Sequence, residues 1–321
     1  MNKKRKSISY AKWGYIFLIP FFLVYCVFSL YPLITTFVDS FFDIQVDQGF
    51  ISFTGQEETS VFCGLNNYIQ AFQGDLGQSF INTFVIWIMG FIPQIIISLL
   101  LAAWFTDLRL KIKLQGFFKA IIYLPNILMA SAVSYLFWSL FSQGGGIWTL
   151  IHNLTGYSGV LLDTPWGARS IVAIINFLLW YGNTTILLMA AIMGVDTSLY
   201  ESAQIDGANS AQTFWKITLP LIRPILLYVL ITSLIGGIQL FDVPQIMGTD
   251  TGQPAGALMT LVMQINVRKN STPGLASAIC IIIFVVTAIL GGIIFLTTSD
   301  RSDKKYLKKQ KKAAKAAKEV M

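Results

Sequence analysis

Six uncharged apolar runs, each close to or above the length that crosses a lipid bilayer as a helix, constrain this chain more than any other feature. They are Gly14 to Val38, Ser79 to Thr106, Ala120 to Phe141, Ser170 to Val195, Pro224 to Phe241 and Ser271 to Ser299. A bilayer core about 30 Å thick takes about 20 apolar residues per helix, and inside it each backbone amide must be satisfied within its own segment. The expectation is an all-α membrane protein with six transmembrane helices. The fifth run is the shortest, and its helix can continue past Asp242 because Val243 to Met247 is still mostly apolar. Only 12% of the residues are charged, against about 25% in soluble domains, which excludes a soluble enzyme.

Orientation follows from the basic residues, which are retained on the cytoplasmic side. Lys3, Lys4, Arg5, Lys6 and Lys12 precede the first run; Arg109, Lys111, Lys113 and Lys119 follow the second; Lys216 and Arg223 follow the fourth; nine more follow the sixth. The segment from Asp39 to Gln78 carries Asp43, Asp47, Glu57, Glu58 and Asp75 and no Lys or Arg, as an outside loop should. Arg268 and Lys269 run against the pattern and are outvoted. Both termini are therefore expected to be cytoplasmic. The organisation is a basic N-terminus at 1–13, a membrane domain at 14–299 with a cytoplasmic loop at 194–223, and a solvated basic tail at 300–321. The first run is too long for a signal-peptide core and lacks a small-x-small cleavage site, so it reads as an uncleaved span.

Several chemistries are missing. No G-x-x-x-x-G-K-[ST] occurs, and Gly144 to Gly146 is followed by Ile147 and Trp148, so no nucleotide is bound by a P-loop. His152 is the sole histidine and falls in an outside loop without Cys or acidic neighbours, which leaves no metal or general-base constellation. Cys26, Cys63 and Cys280 lie far apart and read as packing residues. The runs hold no ionisable residue except Asp242 at an edge. The basic clusters flank apolar runs, so they report topology and not a nucleic-acid surface.

The most specific segment is the cytoplasmic loop from Gly194 to Pro224. Ser198 and Glu201 have capping-box spacing, predicting a helix that runs to about Ala208. Gly207 permits a turn that a Cβ would resist. Asn209 or Ser210 can cap a second short helix, and Pro220 is expected to end it. Within this loop Glu201, Ser202, Ala203, Asp206, Gly207, Ala208, Phe214, Ile217, Leu219, Pro220 and Pro224 follow E-[S/A]-A-x-x-D-G-A-x5-F-x-x-I-x-L-P-x-x-x-P. That pattern resembles the EAA signature of the permeases of binding-protein-dependent ABC importers. Ser202 stands where that family most often has Ala.

The likeness covers nearly the whole chain and points to the carbohydrate-uptake branch, similar to maltose and glycerol-phosphate permeases. It rests on Ile19-Pro20, Tyr31-Pro32, Ser40-Phe41, Asp43, Gly64 to Tyr68, Tyr123-Leu124-Pro125 with Trp138, Phe241-Asp242 and Gly274 to Ala278. The usual T-x-G-G-P is present only as Gly248 to Pro254. The resemblance implies a type I importer permease fold in a bacterial cytoplasmic membrane, with the signature loop docked in a groove of a separate ATPase. It implies further partners: a second homologous permease, two ATPase subunits or domains carrying ATP and Mg, an extracellular solute-binding protein, a sugar and membrane lipid. It implies no cofactor in this chain, no catalytic or metal-binding residue and no nucleic acid.

A sugar is neutral, hydroxyl-rich and flat-faced, so its path needs donors, acceptors and aromatic rings. Candidates are Asn126, Ser131, Ser134 and Tyr135, then Asn176, Trp180, Tyr181 and Asn183, then Gln239, Asp242 and Gln245. Gln239 and Asp242 are three apart and would share a helix face. Each candidate has an ordinary alternative as an interhelical hydrogen bond or interfacial anchor. Two other classes of function carry different signatures. A self-sufficient secondary transporter or channel would bring inverted repeats or ionisable residues inside spans, and a membrane enzyme would need clustered acids, a histidine or a metal set.

Overall fold

A computed structural model describes residues 11–46, 58–107, 110 and 113–298. The basic residues Lys3 to Lys6, Arg109 and Lys111, part of the acidic loop at 47–57 and the tail at 300–321 lie outside the described residues. The chain falls into two compact units, Met1–Gly77 with Gln264–Ile283, and Gln78–Met263 with Phe284–Met321.

In the first unit, α1 (Ala11–Tyr25) passes through a π-turn (Cys26–Leu30) into α2 (Tyr31–Asp39). Pro32 accounts for the π-turn. A proline ring clashes with the carbonyl four residues back and brings no N–H; the widened turn before it lets Tyr31 donate to Cys26 O, five residues back. A short two-stranded hairpin then interrupts the helices. β1 (Phe42–Val46) and β2 (Glu58–Phe62) pair antiparallel, with Phe42 opposite Phe62 and their rings 5.5 Å apart. From α3 (Asn66–Gln73), Asn67 Nδ2 donates to Ser40 O at 3.1 Å and Phe42 O at 2.8 Å, and the hydroxyls of Tyr68 and Ser40 meet at 2.7 Å. A Cβ on Gly274, at the start of the last helix, would stand 2.0 Å from Phe42 O. Separate pieces of the sequence resemblance, Ser40-Phe41, Gly64 to Tyr68 and Gly274, therefore meet at one place.

α4 (Leu76–Thr106) leads into the second unit. The expected single helix over Ala120 to Phe141 is instead two, α5 (Gln115–Ile127) and α6 (Ala130–Phe141), and α6 continues through Ser142–Gly145 into α7 (Gly146–Thr155). The bend between α5 and the segment Ala130–Thr155 is 87°. Its cause is local: Pro125 supplies no N–H near the end of α5, and Leu128 and Met129 turn extended, with ψ of 143° and 129°. His152 is not in a loop but on α7, its ring stacked 5.1 Å from that of Trp148. α8 (Pro165–Met193) begins five residues ahead of the expected span, because Thr164 Oγ1 accepts the Gly167 N–H at 3.2 Å and Pro165 suits the first helical position. That start brings Arg169 into the helix.

The loop after α8 holds α9 (Thr197–Ile205), α10 (Ser210–Thr213), a π-turn (Phe214–Thr218) and α11 (Leu219–Leu221). α12 (Arg223–Ile238) ends before Phe241, which takes φ −135° and ψ −58°, and α13 (Asp242–Gly248) carries the fifth span past Asp242 to Gly248, as the apolar Val243 to Met247 allowed. Gln239 and Asp242 consequently sit on either side of a break and share no helix face. α14 (Leu261–Arg268) and α15 (Pro273–Thr298) complete the chain. Among the described residues five helices are long and apolar enough to cross a membrane, or six when the bent pair counts as one span, as the six runs require.

α8 is the centre of the second unit. One apolar cluster gathers Ile171, Val172, Ile175 and Leu179 with Ile86, Val243 and Leu258; another gathers Leu188, Met189 and Ile192 with Ala102, Ile222 and Val229. Between them lies a polar layer in which Gln94 Nε2 donates to Thr184 Oγ1 at 2.7 Å and Ser98 Oγ to Tyr181 O at 2.9 Å. Small residues allow close approach: a Cβ on Gly182 would stand 2.1 Å from Ile122 O.

Candidate functional site

Two features stand out, a capped two-helix platform and a polar cavity. The platform starts at Asp196, whose Oδ1 accepts the Ser198 N–H at 3.0 Å. That amide bond holds the Asp196 carboxyl below its usual range. The expected Ser198–Glu201 capping box is therefore not the cap: with Asp196 already on the free amides, Ser198 lies inside the first turn and Glu201 points outward, exposed. α9 ends at Ile205, before the predicted Ala208, because Gly207 takes φ +76°. Ala208 N–H then donates to Ala203 O at 2.9 Å and Gly207 N–H to Gln204 O at 3.1 Å, a Schellman closure.

Asn209 caps the second helix in a full capping box. It accepts from the Gln212 N–H at 2.8 Å while Gln212 Oε1 accepts from the Asn209 N–H at 3.0 Å. Pro220 does not end this helix. As at Pro32, the turn before the proline widens into a π-turn, Leu219 donates to Phe214 O, and the helix carries on to Leu221. Thr218 Oγ1 donates to the Tyr200 hydroxyl at 3.3 Å, tying the two helices. Ala203, Thr218 and Ile222 are buried; Ala208, Phe214, Ile217 and Leu219 are half-buried; Glu201, Ser202, Asp206, Gly207 and Pro220 face out. Ile205, 86% exposed, and Trp215, 65% exposed, add apolar surface to that outward face. Behind the platform a cavity of about 360 Å³ separates Tyr200 and Phe214 from Leu100 and Trp104 of α4.

The second cavity, about 470 Å³, lies among α4, α8 and α12. Its polar lining comes from Gln94, Asn176, Asn183, Thr184, Thr232 and Ser233, and its aromatic lining from Trp87, Phe91, Trp180 and Tyr228. Trp87 Nε1 donates to Ser233 Oγ at 3.1 Å. The lining can donate, accept and stack, and it contains no carboxylate, Lys, Arg or His. Of the residues singled out from sequence, Asn176, Trp180 and Asn183 line it. Asn126 instead donates to Leu179 O at 2.9 Å across the α5–α8 contact, and buried Ser134 donates to Ala130 O on its own helix. Tyr181 stacks on Phe177 at 5.2 Å. Gln239 and Asp242 are exposed, and Gln245 donates to Asp250 at 2.5 Å; none of these three lines the cavity. Gln94, Trp87 and Ser233 were missed, although a glutamine inside an apolar run is itself a signal. Among the described residues no group of three or more His, Cys, Asp or Glu is placed to hold a metal.

A multi-pass helical membrane protein with broken spans, an uncharged polar cavity and a rigid platform in one loop is a membrane transport subunit. The chain belongs to the family of binding-protein-dependent transport system inner membrane components, whose model matches residues 94–302. It is similar to the lactose transport system permease protein LacF of Rhizobium radiobacter, 29% identical over 298 residues that cover 90% of this chain and 94% of that protein. It is also similar to the multiple sugar-binding transport system permease protein MsmF of Streptococcus mutans serotype c, 29% identical over 87% of this chain and 92% of that protein. Its fold matches a chain in the crystal structure of a bacterial ABC transporter involved in the import of the acidic polysaccharide alginate, with a TM-score of 0.73, 22% identity and coverage of 89% of this chain and 94% of that one. The fold is that of a type I ABC importer permease.

Proposed function

We propose that this chain is the permease subunit of an ATP-driven importer of a sugar or oligosaccharide, forming half of the translocation pathway. The observation that carries the proposal is the platform. Its residues satisfy one another at both ends, through Asp196, the Gly207 closure and the Asn209–Gln212 box, so it moves as a body and can transmit force. Its outward face of Glu201, Ser202 and Ile205 is then the surface presented to a separate ATPase, which carries ATP and Mg. The positive flanks put this loop and both termini on the cytoplasmic side. Two of the relatives are named for lactose and for multiple sugars. The uncharged cavity of amides, hydroxyls and indoles fits such a solute, with Trp180 and Asn183 in contact with it. The remaining partners in this reading are a second homologous permease and an extracellular binding protein that delivers the solute.

The test is to purify the tagged chain in mild detergent from native membranes and identify what accompanies it by mass spectrometry. A second multi-pass permease and an ATPase with a Walker motif are expected. Recovery of the chain alone, or as a homo-oligomer, overturns the reading in favour of a secondary transporter or channel.

A further inference from the structure

Arg169 belongs to neither feature, yet it links α8 to both α4 and the segment after α13 in the second unit. It stands near the N-terminal end of α8, the end that the charge pattern assigns to the outside. Its terminal nitrogen donates to Asn82 Oδ1 on α4 at 2.6 Å, and its Nε donates to Ala257 O at 3.2 Å. The guanidinium also lies 5.3 Å over the Trp166 ring. Asn82 is fully buried and is spent on the same loop, its amide donating to Gly256 O at 2.8 Å and Met259 O at 3.1 Å. Thr83 Oγ1 accepts the Leu261 N–H at 3.1 Å, and Thr260 Oγ1 donates to Leu240 O at 2.8 Å. The segment 249–261 is thus held against α4 and α8 by side chains from both.

That segment bears on the cavity. Leu258 is completely buried in a cluster with Ile86, and Ile86 is also cavity wall. Leu240, whose carbonyl holds Thr260, lines the cavity as well. The partners of Arg169 described here are an amide oxygen, a carbonyl and an indole face. Such bonds are weaker than a guanidinium paired with a carboxylate, which suits a contact made and broken in each cycle.

We infer that Arg169 and Asn82 form a latch that holds segment 249–261 over the outer end of the cavity, and that opening to the outside requires the bonds from Arg169 to Asn82 and Ala257 to break. This rests on reading the cavity as the solute path. Arg169 and Asn82 are positioning residues: they act on the solute through the segment they hold.

The test uses the whole transporter in right-side-out membrane vesicles without ATP. Cys26, Cys63 and Cys280 are replaced by Ser, and Gly236→Cys is introduced as a reporter, because Gly236 lines the cavity and a Cβ there meets nothing within 4 Å. A membrane-impermeant thiol reagent is added from outside. With the latch intact labelling is slow; Arg169→Ala and Asn82→Ala accelerate it roughly tenfold or more, since bonds to a charged donor are lost, and Arg169→Lys lies between. Assembly with partner subunits is measured on the same samples. Unchanged labelling in assembled Arg169→Ala or Asn82→Ala overturns the latch while leaving the cavity as the path. Loss of assembly in both overturns it too, making Arg169 a structural tie. If Gly236→Cys is labelled from neither face in any variant or nucleotide state, the pathway reading itself fails.

Discussion

Trp87 fills the space that a side chain at Gly237 would need: a Cβ on Gly237 would stand 2.1 Å from Trp87 Cδ1. The indole can therefore lie against the backbone of α12 and reach Ser233 Oγ at 3.1 Å. The adjacent Gly236 has nothing within 4 Å of its own Cβ position. Both glycines line the cavity, but only at Gly237 is the space of a Cβ already taken.

Gly237→Ala should consequently displace Trp87, break its bond to Ser233 and remodel the cavity, at about 1–3 kcal/mol for overpacking. Uptake kinetics of the assembled transporter should show a raised KM, whereas Gly236→Ala should leave KM unchanged. Equal effects of the two substitutions would contradict this assignment of the wall.

The platform separates surface from scaffold. Glu201 is exposed and caps nothing, so Glu201→Lys should leave the chain folded in the membrane and yet weaken ATPase attachment or lower the solute moved per ATP. Gly207 has open space around it and φ +76°, so Gly207→Ala should cost about 1–2 kcal/mol of backbone strain alone, and Gly207→Asn less. Co-purification of the ATPase and the ratio of uptake to hydrolysis distinguish the two. Full coupling in both Glu201→Lys and Gly207→Trp would remove the docking role.

Much of this design was legible in the sequence, for reasons that differ from part to part. The spans were readable because hydrocarbon excludes charge, and the Gly207 turn because a residue without Cβ rests at that φ at the least cost. Asn209 was readable as a cap. What escaped depended on competition or distance. Asp196 took the amides that Ser198 and Glu201 were expected to satisfy. Pro220, where a helix end was the expected outcome, was accommodated by a π-turn, as Pro32 is within the first run. Pro125 stood in plain view within the third run, but the bend needed Leu128 and Met129 to turn extended as well. Arg169 lay one residue before the run it belongs to, and its partners Asn82 and Ala257 are 87 and 88 residues away, a separation no local pattern reveals.

The cavity assignment divides the sequence candidates into two groups with different behaviour. Trp180→Ala and Asn183→Ala should raise the KM for uptake roughly tenfold, the equivalent of about 1.4 kcal/mol of binding, without altering assembly. Asn126→Ala should do the reverse, costing about 1 kcal/mol of stability by deleting its bond to Leu179 O while leaving KM alone. Asp242→Ala, exposed and outside the cavity, should change neither. A KM effect from Asp242 or Asn126 and none from Trp180 would move the path elsewhere.

Asp196 gives the platform a pH limit. Its carboxyl is held below the ordinary value by the Ser198 amide, so the cap is in place above the unfolded pKa and is lost as pH falls through the lower folded value. Hydrogen exchange at the first amides of α9, corrected for intrinsic rates, should lose protection only below about pH 4. Asp196→Asn keeps an accepting oxygen and should remove that pH dependence. A loss of protection near neutral pH, or the same profile in both proteins, would show that another group controls the helix start.

The central claim is that this chain moves solute only as part of an ATP-driven assembly. Its most direct test is reconstitution into liposomes, with the chain alone compared with the complete complex recovered from native membranes, and with ATP inside and binding protein with radiolabelled sugar outside. The account predicts uptake by the complex that stops when ATP or the binding protein is withheld, and none by the chain alone. Sugar uptake by the chain alone, without ATP, would contradict it.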